Sequence, residues 1–404
     1  MRTHKKVKDL DGGSNSSTVR MIRYLMSKYD FINNVVLNEV FASEKETNRY
    51  HPVNPNTLYI EARAGGYRTS VGEISSFLSS DYIPSTDPFV AYFEKHKELW
   101  NQAEHGDYIA RFASYIHAED QGRFNVQFKK WLVRCVACSI RDDYYNKQAF
   151  IFIQDKQNTG KTTLTRFLVP PELREYYAEN ISVDKDSLIA LCQNFGIIQD
   201  ELSTLSRAEI NAQKTLMSKS TVKVRHPYDR KAKMEPRRAS IWGSTNKAEF
   251  LTDETGSVRW LCFPLKGIDW DYKKDIDINI VWSQAYQLLY SDYRFEMTRE
   301  EIEENERANV FFSSLTVEFE LVQKYLLPGT KEDPFMTASD IVTMLTGLED
   351  GKVRISIQEV GKALKRLGFE QCSKRGHHSS AYPRKGYYVK IENQGTTYYK
   401  GYNR

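Results

Sequence analysis

The residues best suited to chemistry follow one apolar run. Ala149-Phe150-Ile151-Phe152-Ile153 reads as a buried strand, and it feeds Gln154-Asp155-Lys156-Gln157-Asn158-Thr159-Gly160-Lys161-Thr162-Thr163. This is the outline of a loop that cradles phosphates. Gly160 lets backbone amides approach the phosphates, Lys161 neutralises the β/γ charge, Thr162 offers a hydroxyl to Mg²⁺, and the helix start over Leu164 to Leu168 adds its dipole. Gln157, Asn158, Thr159 and Thr163 complete the set expected to hold the nucleotide. One position departs from the pattern G-x-x-x-x-G-K-[ST], which calls for glycine where Asp155 stands. A tight turn tolerates Asp better than a β-branched residue, and the amides facing phosphate come mostly from later positions. The expectation is a binder of nucleoside triphosphate, ATP with Mg²⁺.

A hydrolase also needs carboxylates to support the metal and polarise water. Phe195-Gly196-Ile197-Ile198-Gln199-Asp200-Glu201 supplies them at the end of a second apolar strand, where ligands of open α/β sheets gather. Asp200 is expected to support Mg²⁺ and Glu201 to orient the attacking water. An Asp-Glu pair is common on surfaces, and its place on a buried strand after a phosphate loop favours the functional reading. Ala239-Ser240-Ile241-Trp242-Gly243-Ser244-Thr245-Asn246 is a third strand ending in a polar amide, and Asn246 there could hold the γ-phosphate or the lytic water. The bland alternative is a turn-forming Asn. Arg259 could reach the nucleotide of a neighbouring subunit, or it could form a surface ion pair.

Between the second and third strands lies a basic island. Lys219 to Arg238 holds 8 Lys/Arg against Asp229 and Glu235. Pro227 and Asp229 suit a turn between alternating flanks, so a hairpin bearing Lys223, Arg225, His226, Tyr228, Arg230 and Lys231 is expected to contact single-stranded DNA. Cations track the phosphates and an aromatic ring stacks on a base. A solvated charged loop is the competing reading.

These groups need a scaffold, and the chain changes texture near Lys147. From there short apolar strands (149–153, 196–199, 239–244, 260–263) alternate with helices, including 184–192, which implies a parallel α/β sheet. Residues 1–15 read as a disordered arm. Residues 16–145 read as an α-rich collar, with helical patterns from about Thr18 and over 71–78, 88–99 and 106–140, and a small β element at Leu58 to Glu61. The ATPase domain is set at 146–292 and a helical connector at 293–328, with Thr298 and Glu301 at capping-box spacing before one long helix running toward Leu326. Residues 329–404 show two more such spacings, Thr337 with Asp340 and Ser356 with Glu359, then a hairpin of Phe369–Ser373 with Tyr387–Glu392. Helix, helix and two strands in a basic segment outline a winged helix.

Composition narrows the class further. The chain has 404 residues with ordinary apolar and charged content, no apolar run near the roughly 20 residues of a membrane span, and no secretory signal, so the cytoplasm is expected. Five cysteines, an odd number, suggest free thiols in a reducing compartment. Cys135 and Cys138 share the helical spacing of Phe128, Trp131 and Leu132, which favours core packing over metal binding. The net charge of +4 is uneven: Lys352 to Arg404 carries 12 Lys/Arg against 3 Glu, which invites a polyanion and excludes a basic partner there.

Taken in order, Gln157 to Thr162, Gln199-Asp200-Glu201-Leu202, Val224-Arg225-His226-Pro227 with Arg237-Arg238, Gly243 to Asn246, and Asp253-Glu254-Thr255-Gly256 through Arg259 resemble the virulence-associated E family of phage and mobile-element replication proteins. That family is similar to superfamily 3 helicases of the AAA+ class, and the resemblance covers roughly residues 70 to 310. It implies an ATPase ring, usually a hexamer, that moves on single-stranded DNA during replication. Lys161 and Thr162 match its nucleotide loop, Asp200 and Glu201 its acidic motif, Asn246 its sensor and Arg259 its arginine finger. Lys223, Arg225, His226 and Arg230 fall in its channel hairpin. A primase or polymerase would be a further partner, and the C-terminal domain would meet duplex origin DNA. The alternative is an initiator or repressor that uses nucleotide only to assemble and does not unwind.

Overall fold

The computed structural model describes residues 16–47, 49–156, 158–182, 184–200, 202, 206–226, 231–246, 258–309, 312, 316–349, 353–374 and 383–391, without the side chains of 185, 207 and 366. The chain divides into two compact units, residues 1–246 with 259–298 and residues 247–258 with 299–404.

In the first unit, Ser16 caps α1 (Ser17–Lys28) by accepting from the Val19 amide, and the helix buries Met21, Ile22 and Leu25 as their spacing requires. There follow β1 (Tyr29–Asn34), β2 (Glu39–Glu44), β3 (His51–Pro52), α2 (Pro55–Ala64), α3 (Val71–Leu78) and β4 (Ser85–Thr86), with sheet order β3-β2-β1-β4. Two features differ from the sequence reading. Leu58 to Glu61 is the middle of a helix, because Asn54 accepts from the Asn56 amide and Pro55 presets φ at the first helical position. The β1–β2 hairpin is also unforeseen: burial in β1 falls on every third residue, so no alternation marks it.

Next come α4 (Pro88–His96), α5 (Gln102–His105), α6 (Tyr108–Ser114), β5 (Ile116–Ala118) and α7 (Gln121–Ile140). The helical pattern over 106–140 is therefore broken. Asp107 and Asp120 each cap a separate helix, and β5 leaves the pattern to pair antiparallel with the strand over 260–268, as the edge of the sheet. The unit continues with β6 (Ala149–Ile153), α8 (Lys161–Phe167), β7 (Tyr177–Glu179), α9 (Lys185–Gln193), β8 (Gly196–Gln199), α10 (Arg207–Met217), β9 (Thr221–Val224), β10 (Lys233–Pro236), β11 (Ser240–Thr245), β12 (Trp260–Ile268), α11 (Tyr272–Asp275) and α12 (Ile278–Leu289).

Six strands form one sheet in the order β5-β12-β6-β11-β8-β7, parallel throughout except for β5. Parallel strands are covered on both faces, which is why β6 is apolar and buried at all five positions. On one side Phe124, Phe128 and Trp131 of α7 meet Phe150, Trp242 and Phe263. Burying each such ring contributes about 1.5–3 kcal/mol. One apolar cluster takes in residues from Phe89 to Ala137 and from Phe150 to Leu289, so the boundary set at 145/146 runs through a shared core. Residues between Met21 and Ile83 hold a cluster of their own. Cys135 and Cys138 are fully buried on α7 as core residues, and burial pushes both thiols up.

Three contacts set the functional edge of the sheet. Trp242 Nε1 donates to the Thr165 carbonyl at 2.9 Å and Trp282 Nε1 to the Leu168 carbonyl at 2.9 Å, which fixes α8 against the sheet. Gly243 lets β11 lie close on β8, since a Cβ there would stand 1.8 Å from the Gln199 carbonyl oxygen.

The second unit holds α13 (Arg299–Asn309), α14 (Val317–Tyr325), β13 (Leu326–Pro328), β14 (Phe335–Met336), α15 (Ala338–Leu348), α16 (Ile357–Arg366), β15 (Gln371–Lys374) and β16 (Arg384–Ile391). The single long helix expected toward Leu326 is two helices, α13 and α14. The Thr337–Asp340 capping box forms in full. The second spacing does not: Ser356 makes no side-chain cap, its amide donates to Glu318 Oε1 at 2.9 Å, and Glu359 accepts from Lys362 at 2.9 Å. Leu321, Val322, Ile341, Leu345, Val360 and Leu364 form the core under the β15–β16 hairpin, whose register pairs Gln371 with Tyr387. Among the described residues no helix is long and apolar enough to cross a membrane.

Candidate functional site

Among its described residues, the loop between β6 and α8 turns through two left-handed ones, Asn158 (φ 58°) and Gly160 (φ 92°). Asp155 is not one of them, so a carboxylate at the position where the pattern calls for glycine costs no backbone strain. Lys161 is buried. Its Nζ donates to the Gln154 carbonyl at 2.9 Å, the Lys156 carbonyl at 3.0 Å and Thr159 Oγ1 at 3.2 Å. Burial pulls the Lys161 pKa below its ordinary value, and the Asp200 and Asp155 carboxylates oppose that pull. Asp155 thus helps keep the loop's cation charged. Thr162 and Thr163, both half-buried, open the first turn of α8.

Asp200 leaves the C-terminal end of β8 beside that turn. Thr162 Oγ1 donates to Asp200 Oδ2 at 2.7 Å, and Ser244 Oγ donates to Asp200 Oδ1. The Asp200 amide donates in turn to Asn180 Oδ1 at 2.8 Å, from a residue that is itself left-handed (φ 51°). The register explains the Ser244 contact: Gly243 pairs with Gln199, so the next residue of each parallel strand stands side by side. Asn246 follows Thr245, whose carbonyl accepts from the Gln154 amide at 3.2 Å, and this sets Asn246 at the mouth of the loop. A hydroxyl and a carboxylate 2.7 Å apart are hard oxygen donors of the kind Mg²⁺ takes. No cluster of three or more His, Cys, Asp or Glu suited to a metal occurs among the described residues, so these two groups would share the ion with phosphate oxygens. Gln157 and Glu201 lie outside the described residues.

The basic island forms the expected hairpin, with β9 and β10 antiparallel and Val224 opposite Lys233. Val222 and Val224 point inward while Lys223 is exposed, as are Arg225 and Lys231. His226 is a correction. It is buried, with Nε2 2.8 Å from Glu235 Oε1 and 3.2 Å from Asn38 Nδ2, so it braces the hairpin against the β1–β2 turn instead of facing a polyanion. Tyr228 and Arg230 lie outside the described residues. Arg237 and Arg238 are clamps: buried Arg237 donates to the Met217 carbonyl at 2.7 Å, and Arg238 pairs with Asp87 at 3.0 Å and Asp142 at 3.3 Å.

Arg259 stands apart. It precedes β12, its carbonyl accepts from the Ala149 amide at 2.8 Å, and its Nε donates to Ser218 Oγ at 3.0 Å. Ala149 opens β6 and the loop follows its other end, so Arg259 lies at the end of β6 away from the loop, a strand length of roughly 16 Å at about 3.3 Å per residue. The fold brings Lys161, Thr162, Asp200 and Asn246 to one edge and leaves Arg259 at the other.

A family model for the virulence-associated protein E-like domain matches residues 96–313. The chain belongs to the virulence-associated protein E-like family. No curated protein matches. Among solved structures, the chain is similar to the apo C-terminal region of NrS-1 (305–718), with 11% identity and a TM-score of 0.47 over 93% of this chain and 100% of that one. An A form of the same region is similar at 12% identity and a TM-score of 0.47, covering 92% and 98%. The virulence-associated E-like segment contains the loop, both acidic and polar strand ends, the hairpin and Arg259. Within it, sequence reasoning gave no role to Ser244 or to Asn180. Ser244 had a signal, a hydroxyl at the end of a strand running parallel to the one that ends in Asp200. Asn180 had none, since its role follows from a left-handed backbone.

Proposed function

We propose that this chain is an ATP-driven replicative DNA helicase or translocase of a phage or mobile element, with a P-loop core of the AAA+, superfamily 3 type. The observation that carries the reading is the run of contacts from Thr162 through Asp200 to Ser244, beside Lys161, at the C-terminal edge of a sheet ordered β12-β6-β11-β8-β7. Open parallel sheets bind ligands at that edge, where the phosphate loop and the acidic strand end meet. Lys161 would neutralise phosphate charge, Asn246 and Glu201 would orient the attacking water, and Arg259 would serve the site of an adjoining copy in a ring, a hexamer by family resemblance. Bound Mg²⁺, drawing on Thr162 and Asp200, would neutralise charge on the phosphate oxygens.

Lys223, Arg225 and Lys231 would track the phosphates of single-stranded DNA. The order α14, β13, β14, α15, α16, β15, β16 supports a winged helix, and its exposed Lys365, Lys374 and Lys385 suit duplex origin DNA. A primase or polymerase would act beside it in the bacterial cytoplasm. The test is strand displacement on forked DNA together with ATP turnover. Turnover should rise with single-stranded DNA and fall at least about a hundredfold in Lys161→Ala, with the fold intact. Wild-type turnover in Lys161→Ala sinks the enzymatic reading. Turnover without displacement would point to the initiator or repressor instead.

A further inference from the structure

Trp270 stands just past the end of β12 and is 46% exposed. Its ring lies against the phosphate loop: a Cβ built on Gly160 would meet Trp270 Cζ2 at 2.6 Å and Cη2 at 2.8 Å. The indole can rest there only because residue 160 has no side chain. The segment that carries the ring is held at both ends. The Asp269 amide donates to the Tyr115 carbonyl at 2.8 Å, and the Asp271 amide to Asp269 Oδ1 at 3.0 Å. Buried Tyr272 then packs edge-on against Phe167 of α8, ring centroids 4.8 Å apart, so the indole is tied to the same helix that the loop opens. Lys273 Nζ lies 4.4 Å from the centroid of the indole's ring.

A single exposed aromatic residue is ordinary on a protein surface. This one is fixed in place and about half exposed, touches the loop expected to hold phosphates, and carries the Lys273 ammonium over its ring, a cation that a stacking base would replace. A nucleoside triphosphate has the matching parts: a flat base joined through a sugar to a polyanion. We propose that Trp270 is the base-binding residue of this site, stacking on the purine of a nucleoside triphosphate whose phosphates lie in the 154–163 loop. The inference rests on the nucleotide-binding reading above. A purine is favoured because two fused rings overlap an indole more fully than one does, and stacking strength follows overlap.

The test is competition against a fluorescent ATP analogue in the presence of Mg²⁺, using the full chain. ATP, CTP and inorganic tripolyphosphate serve as competitors for wild type, Trp270→Ala, Trp270→Phe and Lys161→Ala. Trp270→Ala should weaken ATP about tenfold or more while leaving tripolyphosphate within about twofold, and Trp270→Phe should recover most of the loss. The preference for ATP over CTP should shrink in Trp270→Ala. Equal loss of ATP and tripolyphosphate would make the ring a prop for the loop and overturn the proposal, as would unchanged ATP affinity in Trp270→Ala. Those outcomes leave nucleotide binding itself standing. Failure of wild type to bind either ATP or tripolyphosphate, or wild-type binding in Lys161→Ala, would remove the nucleotide reading and this proposal with it.

Discussion

At the C-terminal edge of the parallel sheet, Lys161 is held by two carbonyls and a hydroxyl, and Asp200 receives hydrogen bonds from Thr162 and Ser244. Along the β9–β10 hairpin, Lys223, Arg225 and Lys231 face solvent, and His226 turns inward with Val222 and Val224. On the proposed function, the two regions would solve different problems. Chemistry on a phosphate needs groups fixed before the substrate arrives, because reorganising them in the transition state adds to the barrier. Tracking a polyanion needs only charge density, which flexible exposed cations supply through counterion release.

The comparison is most easily broken at Asp200. Asp200→Ala should lower ATP turnover by roughly a hundredfold or more and leave single-stranded DNA binding unchanged, read by steady-state turnover and by anisotropy. If DNA binding fell equally, the two regions would not be separate devices. Ser244→Ala removes one hydrogen bond to a carboxylate, so turnover should drop about tenfold, and Ser244→Thr should restore it.

On the hairpin, Lys223→Ala with Arg225→Ala should flatten the slope of log affinity against log salt by about 1.4, at about 0.7 per phosphate contact on a single strand. His226→Ala should leave that slope alone and lower the melting temperature by several degrees, because Glu235 and Asn38 lose their shared partner. A changed salt slope in His226→Ala would return this residue to the DNA face. The smallest effect belongs to Asp155→Asn. On the proposed reading Lys161 would be charged to hold phosphate; burial lowers its pKa, and Asp155 opposes that shift. Removing the carboxylate lowers the pKa further, so the alkaline loss of ATP affinity should begin at lower pH than in wild type.

Much of the sheet was legible in the sequence because burial on both faces leaves a continuous apolar run. Strands 149–153 and 196–199 match residue for residue. The turn into α8 was legible for a different reason, since a left-handed backbone restricts residue type at Gly160. What escaped was set by distant partners. β5 hides in a helical pattern until β12 pairs with it, and β1 shows no alternation because its burial does not alternate. His226 read as one more cation of the island, because nothing local announces Asn38 and Glu235 waiting beside it. Trp270 carries no motif, and its place over Gly160 follows only from the length and direction of β12.

One feature of the sheet reaches beyond a single molecule. Lys161 follows the C-terminal end of β6 and Arg259 pairs beside its N-terminal end, so the length of that strand stands between them. If, as proposed, Arg259 serves the site of an adjoining copy, turnover per chain would rise with the concentration of chains.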